Sequence, residues 1–445
     1  MSPKKQSGFA AIYLTVLILA VSLTLTAGIF VLTSVQQKDI QNIIQSSQSY
    51  FLAEAGLEDA ILRIKNSMPI SANYIMSVDT GQAIVSIASP NPNTRIIRAK
   101  GTKGDVSKTL EVQLSIQTIN PDFFYGAQAG TLGIVMENNS RIEGTLGQAG
   151  NIYSNGPVEG SEQGGNSVIT GTVLVANGSL KDVTVLGDAH ANTITSSKIC
   201  GNAYYQTIDA DSLDFLNDPS NPTCQDPLTP GTAHPESSDP PLQNMPISDS
   251  NINQWKAEAV EGGVLNGNLT VSSNLSYGPK EIEGNIIMTS NNKILTVEGT
   301  IHATGYLDVS NGSAIRCSPS YGLNSCIVIV DQWAHFENNG IFQGSGQGGS
   351  YIMILSTSDC DGTFSANCTH HNAAMDLHNG ATGAIFYAND GFIYLHNGVV
   401  VSELTAKKIQ LNQGAVIRYE QGLINSSFSS GPGGSWKVES WKEVE

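Results

Sequence analysis

From residue 6 to residue 37 the chain has no Asp, Glu, Lys, Arg or His. As a helix, a run of that length reaches about 48 Å, well over the roughly 30 Å of a bilayer's hydrocarbon core. A cleaved secretory signal is excluded, because its apolar core is shorter and ends at a small-x-small exit that this segment lacks. Charge is scarce elsewhere too: only 14 % of residues carry it, and 22 Lys and Arg face 39 Asp and Glu, for a formal net charge of −17. A phosphate backbone needs a basic face, so nucleic acid is a poor partner for this chain. Poverty in Lys and Glu likewise argues against a helical protein, and the apolar content argues against a disordered acidic one.

Also missing are a C-x2-C zinc spacing, a phosphate-binding glycine loop and a nucleophile elbow. Candidate acids such as Asp308, Asp331, Asp376 and Asp390 are scattered rather than grouped. The expectation is a protein that is not an enzyme and carries no cofactor. What the chain does have is Gly, Ser, Thr and Asn in quantity, the texture of a β-rich exported protein with many turns. Its six cysteines fall in close pairs, Cys200 with Cys224, Cys317 with Cys326 and Cys360 with Cys368. Such short separations suit local disulfides in an oxidising compartment.

Lys4 and Lys5 precede the apolar run and hold its start on the cytoplasmic side, leaving the rest outside. Beyond the run, residues 38 to 65 contain no Pro and a single Gly, Gly56. Ile40, Ile43, Ile44, Ser47, Phe51, Ala55, Leu57, Leu62 and Ile64 recur near helical spacing, so an amphipathic helix continues out of the membrane until Pro69 stops it. The sequence therefore predicts one helix of roughly 55 to 60 residues, half in lipid and half on a globular head.

The stretch Lys4-Lys5-Gln6-Ser7-Gly8-Phe9, followed by the apolar run, resembles the leader of type IV pilins. Ala53-Glu54-Ala55-Gly56-Leu57 in its helical setting resembles the corresponding stretch of PilX-type minor pilins. The resemblance covers about 120 residues. It implies that a membrane-bound prepilin peptidase cuts between Gly8 and Phe9 and that the new N-terminal residue is methylated. Tyr13, Leu14, Leu17, Leu25, Ile29 and Leu32 would then pack in the membrane and among other pilins. Major pilins carry Glu at the fifth mature position, where this chain has Tyr13. An ammonium left without that carboxylate inside a helical bundle is costly. That departure favours a rarely used subunit, at the tip or in an initiation complex, over a main fibre subunit.

After the helix, residues 83–88, 95–100 and 110–116 alternate as strands, with a turn at Lys103-Gly104-Asp105. These make a small pilin-like antiparallel sheet. From about residue 120 short apolar runs are punctuated by Asn-Gly turns. Near the C-terminus Leu377-His378-Asn379-Gly380 recurs as Leu395-His396-Asn397-Gly398 and again as Leu411-Asn412-Gln413-Gly414. Periods of this size predict a mainly-β domain built as a right-handed parallel β-helix, a solenoid, with a β-sandwich as the alternative. The expected boundaries are a leader at 1–8, a long helix at 9–66 with 9–35 transmembrane, a sheet at 67–119, a first solenoid part at 120–216, a Pro-rich exposed loop at 217–250 and a second solenoid part at 251–445. Trp436 and Trp441 are expected on the solenoid end.

The residues from Asp359 to His378 hold Asp359, Asp361, His370, His371, Asp376 and His378. Asp359, Asp361, His370 and Asp376 are the candidate metal ligands, calcium being one option although no Glu follows at the twelfth loop position. Adjacent His370 and His371 would point apart on a strand. His378 and His396 are expected above one another on successive coils, with His335 near an equivalent turn. The reading is a minor pilin-like subunit of a type IV pilus or related system, active in assembly or as a tip-displayed adhesin. It would sit in the cytoplasmic membrane with its C-terminal part outside, and then on the surface pilus. Its partners would be prepilin peptidase, other pilins, the membrane and a surface glycan or host ligand. The alternatives are a membrane-anchored surface protein that binds or degrades glycans and a type II secretion pseudopilin.

Overall fold

A computed structural model describes residues 7–445 apart from 66–67, 69, 80, 92–93, 117, 120, 122, 162–165, 218–223, 225–230, 367, 379, 430–435 and 445. The chain divides into two units. The first comprises Met1–Arg63, Pro69–Ser115 and Val438–Glu445, the second Ile64–Met68 and Ile116–Lys437.

Helix α1 runs unbroken from Ser7 to Lys65, 59 residues. It is long and apolar enough to cross a membrane, and its apolar window is not buried against the rest of the chain. Only from Ser49 onward does one face become buried, at Ser49, Leu52, Ala53, Gly56, Leu57 and Ala60. That face overlaps the expected one only in part: Leu57 and Ile64 are buried, whereas Ile40, Ile43, Ile44, Phe51 and Leu62 are all more than half exposed. Both faces are apolar, so periodicity alone did not tell which one meets the sheet.

The sheet of the first unit has five strands rather than three. Asn73–Val78, Gly81–Asn91, Thr94–Lys103 and Val106–Ile116 follow in order, and Trp436–Val444 adds beyond the fourth. The first four pair antiparallel, with Val85 opposite Ala99 and Ile97 opposite Val112. Ala83, Val85, Ile97, Ala99, Leu110, Val112 and Leu114 form its buried face. The turn at Gly104 and Asp105 lies where the sequence placed it. The last strand is fastened by its charges: Lys442 to Glu111 at 2.9 Å and Lys108 to Glu443 at 2.5 Å. Trp441 is therefore not on the end of the β-domain. It sits 39 % exposed on a strand of the small sheet, whereas Trp436, at the start of that strand, is buried.

Glycine lets helix and sheet approach closely. A Cβ on Gly101 would lie 2.1 Å from the Ser49 carbonyl oxygen, and one on Gly56 would lie 3.0 Å from Ala83 Cβ and Val85 Cγ2. The Ala53-Glu54-Ala55-Gly56-Leu57 stretch is thus a packing seam. Ala53, Gly56 and Leu57 touch the sheet, while Glu54 and Ala55 stay half-exposed on the flank.

The second unit is mainly β, and its main sheets pair in parallel. Ala189 sits beside Ala203, 14 residues on, and Cys326 beside Ile352, 26 residues on. This is not the antiparallel pairing of a sandwich. The Leu-x-Asn/Gln-Gly repeat is in register, Leu377 beside Leu395 and Leu395 beside Leu411. Longer intervals elsewhere arise where the chain inserts loops between strands, including those closed by Cys317–Cys326 and Cys360–Cys368. Columns of Ile, Val and Leu such as Val158, Leu180 and Ile194 fill the interior. At the turns Asn177, Asn311 and Asn339 take left-handed φ of 57°, 59° and 64°, which Asn tolerates because its short side chain bonds locally. Asn138 Nδ2 donates to Asn412 Oδ1 across neighbouring turns at 2.7 Å.

The chain enters this stack in the middle. Ala127–Met136 has Ile152–Ser154 and Val158–Gly160 on one side and Glu403–Leu411 on the other. The chain first builds outward through Val173–Val175, Ala189–His190 and Ala203–Tyr205. It then starts again at Val264–Asn266 and builds back until Glu403–Leu411 closes on Ala127–Met136.

The Pro-rich segment makes that return. Its longest described stretch, 231–250, is a largely exposed strap laid against neighbouring strands. Ala233–Pro235 pairs with Ala203–Tyr205. Gln128 Nε2 then donates to the Asn244 carbonyl, Asn155 bonds Gln243, and the Tyr387 hydroxyl donates to the Ile247 carbonyl at 2.9 Å. Side chains thus supply the partners that a Pro-rich backbone cannot find in a ladder. The strap ends in helix Asp249–Glu261, capped by Ser248 and Asn251, with Ile252 and Trp255 buried beside Ile327, Ile329, Met353 and Tyr387.

Candidate functional site

Two regions hold the residues that the sequence singles out. At the N-terminus, Gly8 and Phe9 lie in the first turn of α1, and their side chains fall outside the described residues. Tyr13, Leu14, Leu17, Leu25, Ile29 and Leu32 are each at least 60 % exposed. An apolar surface of that extent on a single helix is unstable in water and calls for lipid or other helices. Thr15, Ser22, Thr24 and Thr33 return their hydroxyl hydrogens to carbonyls three or four residues back, so their polarity is satisfied within the helix.

The six cysteines form three disulfides, Cys200–Cys224, Cys317–Cys326 and Cys360–Cys368. The third closes the loop that leads into the second region, which is centred on Asp376.

Asp376 lies on the strand Met375–Leu377 with its side chain 1 % exposed. Three imidazoles converge on its carboxylate. His371 Nδ1 is 2.9 Å from Oδ2, His378 Nε2 is 3.0 Å from Oδ2, and His396 Nε2 is 2.8 Å from Oδ1. Burial pushes this carboxyl up, but the hydrogen bonds from His396, His371 and His378 outweigh it and hold it at about 2. Burial also depresses His378 and His370.

The backbone explains the convergence. Because Leu377 and Leu395 are in register, the rings of His378 and His396, one residue on, stack at 3.7 Å and 12°. Asp376 itself sits in a column with Asp308, His335, Tyr394 and Gln410 on successive strands. His370, His371 and Asn372 take left-handed φ of 47°, 59° and 54° in succession. That turn, rather than a strand, puts both adjacent histidines on the same side of the sheet. His370 stacks on His335 at 4.1 Å and touches Trp333 at 4.4 Å, while His371 reaches Asp376. Trp333 in turn stacks on Tyr306 at 4.2 Å.

Of the four expected ligands, the structure brings together only His370 and Asp376. Asp359 is exposed, and among the described residues no group of potential ligands includes it. Asp361 is committed elsewhere, with Lys407 Nζ 2.9 Å from Oδ2 and Thr363 donating to Oδ1. The Lys407 bond holds its carboxyl down at about 2. The residues that take their place are His371, His378 and His396. The repeated Leu-His-Asn-Gly unit signalled the His378–His396 stack, but nothing in the sequence signalled the left-handed turn that aims His371. Two of the other scattered acids have partners: Asp308 faces His335 at 3.4 Å, and Asp331 meets Lys256 at 2.6 Å and His302 at 3.0 Å, while Asp390 is exposed.

No protein-family model matches the sequence, and no curated protein does. Among solved structures, the chain is similar to the competence-associated pilin ComZ from Thermus thermophilus, with a TM-score of 0.27 and 11 % identity over 90 % of this chain and 97 % of that one. A likeness of that size carries neither fold nor function with it.

Proposed function

We propose that this chain is a minor pilin-like subunit whose second unit is a parallel β-solenoid displayed outside the cell. Its N-terminal helix is anchored in the cytoplasmic membrane after cleavage between Gly8 and Phe9. The observation that carries the reading is the division of labour along α1. From Ser49 one face of the helix is sealed against the small sheet, whereas residues 11–35 expose an uncharged apolar surface. A plain anchor needs only about 20 apolar residues. This helix continues without a break, keeping Ile40, Ile44, Phe51 and Leu62 outward beyond the membrane length, as helix-to-helix packing requires. The Lys4 to Phe9 segment supplies the processing signal, and the Ala53 to Leu57 seam supplies the close docking of head on helix.

In this reading the chain performs no chemistry. It lodges among other pilin-type helices and presents the β-domain, in which three disulfides brace the loops against an oxidising exterior. Tyr13, at the fifth mature position, leaves the incoming ammonium without a carboxylate partner, which suits a subunit used at a start or a tip.

Helix packing is tested by cross-linking. All six native cysteines are paired, so Leu25→Cys introduces a single reactive thiol. In membranes of the native cell, oxidation should join it to other pilin-type chains that carry a thiol at a matching depth. Recovery of uncross-linked monomer alone would contradict fibre incorporation.

A further inference from the structure

Among the described residues, two groups of His and acidic side chains bring their donor atoms within 4.8 Å of one another, and both contain Asp376. We infer that His371, Asp376, His378 and His396 form a binding site for one divalent transition-metal ion of the zinc class.

The donor set makes the first argument. Three imidazole nitrogens and one carboxylate oxygen suit a borderline-soft ion such as Zn²⁺ or Co²⁺, whereas Ca²⁺ and Mg²⁺ require mostly oxygen ligands. Distance makes the second. At a metal–ligand bond of about 2.0–2.1 Å, tetrahedral ligand atoms stand about 3.3–3.4 Å apart. The imidazole nitrogens lie 2.8–3.0 Å from the Asp376 oxygens, so a shift of a few tenths of an ångström opens the space.

The third argument is how the ligands are held. Asp376 is fixed on a strand, His378 follows two residues later, and His396 comes from the next strand in register. Their side chains are 1 %, 23 % and 14 % exposed. His371 comes from the left-handed turn after the Cys360–Cys368 loop and, at 53 % exposed, closes the site from outside. Four ligands from the chain leave no position open for substrate, so the ion is structural, pinning that turn to two neighbouring strands. Tyr394, packed 3.8 Å from the His396 ring, and His335 with His370 beside it wall the cluster. The ion would stabilise the folded state by mass action, since the unfolded chain does not assemble these four groups.

The test uses the full-length chain, purified in detergent without a polyhistidine tag and stripped with chelator. Titration with Zn²⁺ alone should show one ion bound per chain and a rise in melting temperature. Co²⁺ alone should give the visible absorption of a tetrahedral nitrogen–oxygen site. His371→Ala, a change at a half-exposed position, and His396→Gln should each weaken Zn²⁺ binding at least about tenfold. His190→Ala, on a different strand beside Tyr204, should leave it unchanged. If His396→Gln does not fold, His371→Ala alone decides. Absence of Zn²⁺ and Co²⁺ uptake, binding by His371→Ala equal to the parent, or displacement of Zn²⁺ by an equal concentration of Ca²⁺ would each overturn the assignment.

Discussion

Glu403 shows how one side chain can oppose the fold that holds it. It lies at 1 % exposure on the strand that closes the two halves of the β-domain. Thr405 donates to its Oε1 at 2.6 Å, while Oε2 is buried without a hydrogen-bond partner among the described residues. Burial pushes the carboxyl well above the usual carboxylate range. The folded state therefore keeps a proton that the unfolded chain releases once pH passes about 4.3. With more protons bound folded than unfolded, stability contributed by this group is fully present below that pH and declines as pH rises toward the folded value. Glu403→Gln cannot titrate. Thermal melts from pH 5 to pH 8 should show the stability of the parent falling relative to the Gln variant as pH rises. Parallel pH profiles for the two proteins would show that the buried carboxyl does not hold its proton. Little of this was legible beforehand, because the strand Glu403–Leu411 is buried at four successive residues from Glu403, which no alternation of side chains announces. The Asp376 cluster was half legible for a related reason. A repeat in the sequence announces which histidines stack, whereas a three-residue left-handed turn carries no Gly to announce it.

At the scale of elements, the helix and its sheet are joined by absent side chains as much as by present ones. Ser49, Ala53 and Gly56 come so close to Gly101, Ala83 and Ala99 that a branched residue has nowhere to go. Gly101→Val should destabilise the first unit by about 1–3 kcal/mol, the usual cost of overpacking a filled interior, read as a lower denaturation midpoint. Gly28→Val, where a Cβ would meet nothing within 4 Å, is the control and should leave that midpoint unchanged. Equal midpoints for Gly101→Val and the parent would mean that the seam is looser than described. The helix itself was plain in the sequence because a charge-free run followed by a Pro-free one has few other solutions. Its buried face was legible only at Leu57 and Ile64, since Ile40, Ile43, Phe51 and Leu62 compete with Leu52, Ala53 and Ala60 for the same role. The small residues win because the sheet has to come close.

For the whole molecule, the chain order conceals the assembly. Parallel strand pairing was readable from the repeat at 377–380, 395–398 and 411–414, where each period equals one strand pairing. That the strand ending at Leu411 closes on the one beginning at Ala127 was not readable, because a pairing across more than 250 residues leaves no local trace. The same holds for Trp436–Val444, which reads as a final β-coil strand yet completes the small sheet through Glu111, Lys108 and Ser115. The Pro-rich strap reads as an exposed loop in the sequence, whereas its docking partners leave no signal there. Beyond the short ladder at Ala233–Pro235, Tyr153, Asn155, Gln128 and Tyr387 bind its carbonyls one by one.

The proposed function rests on what happens at the N-terminal edge of α1. The most direct measurement is the intact mass of the mature protein recovered from the native cell, with its N-terminal peptide sequenced. The account predicts a chain that begins at Phe9, methylated on its amino group, and retention of the leader when Gly8→Leu blocks the cut. Mature protein that still carries residues 1–8 would contradict it.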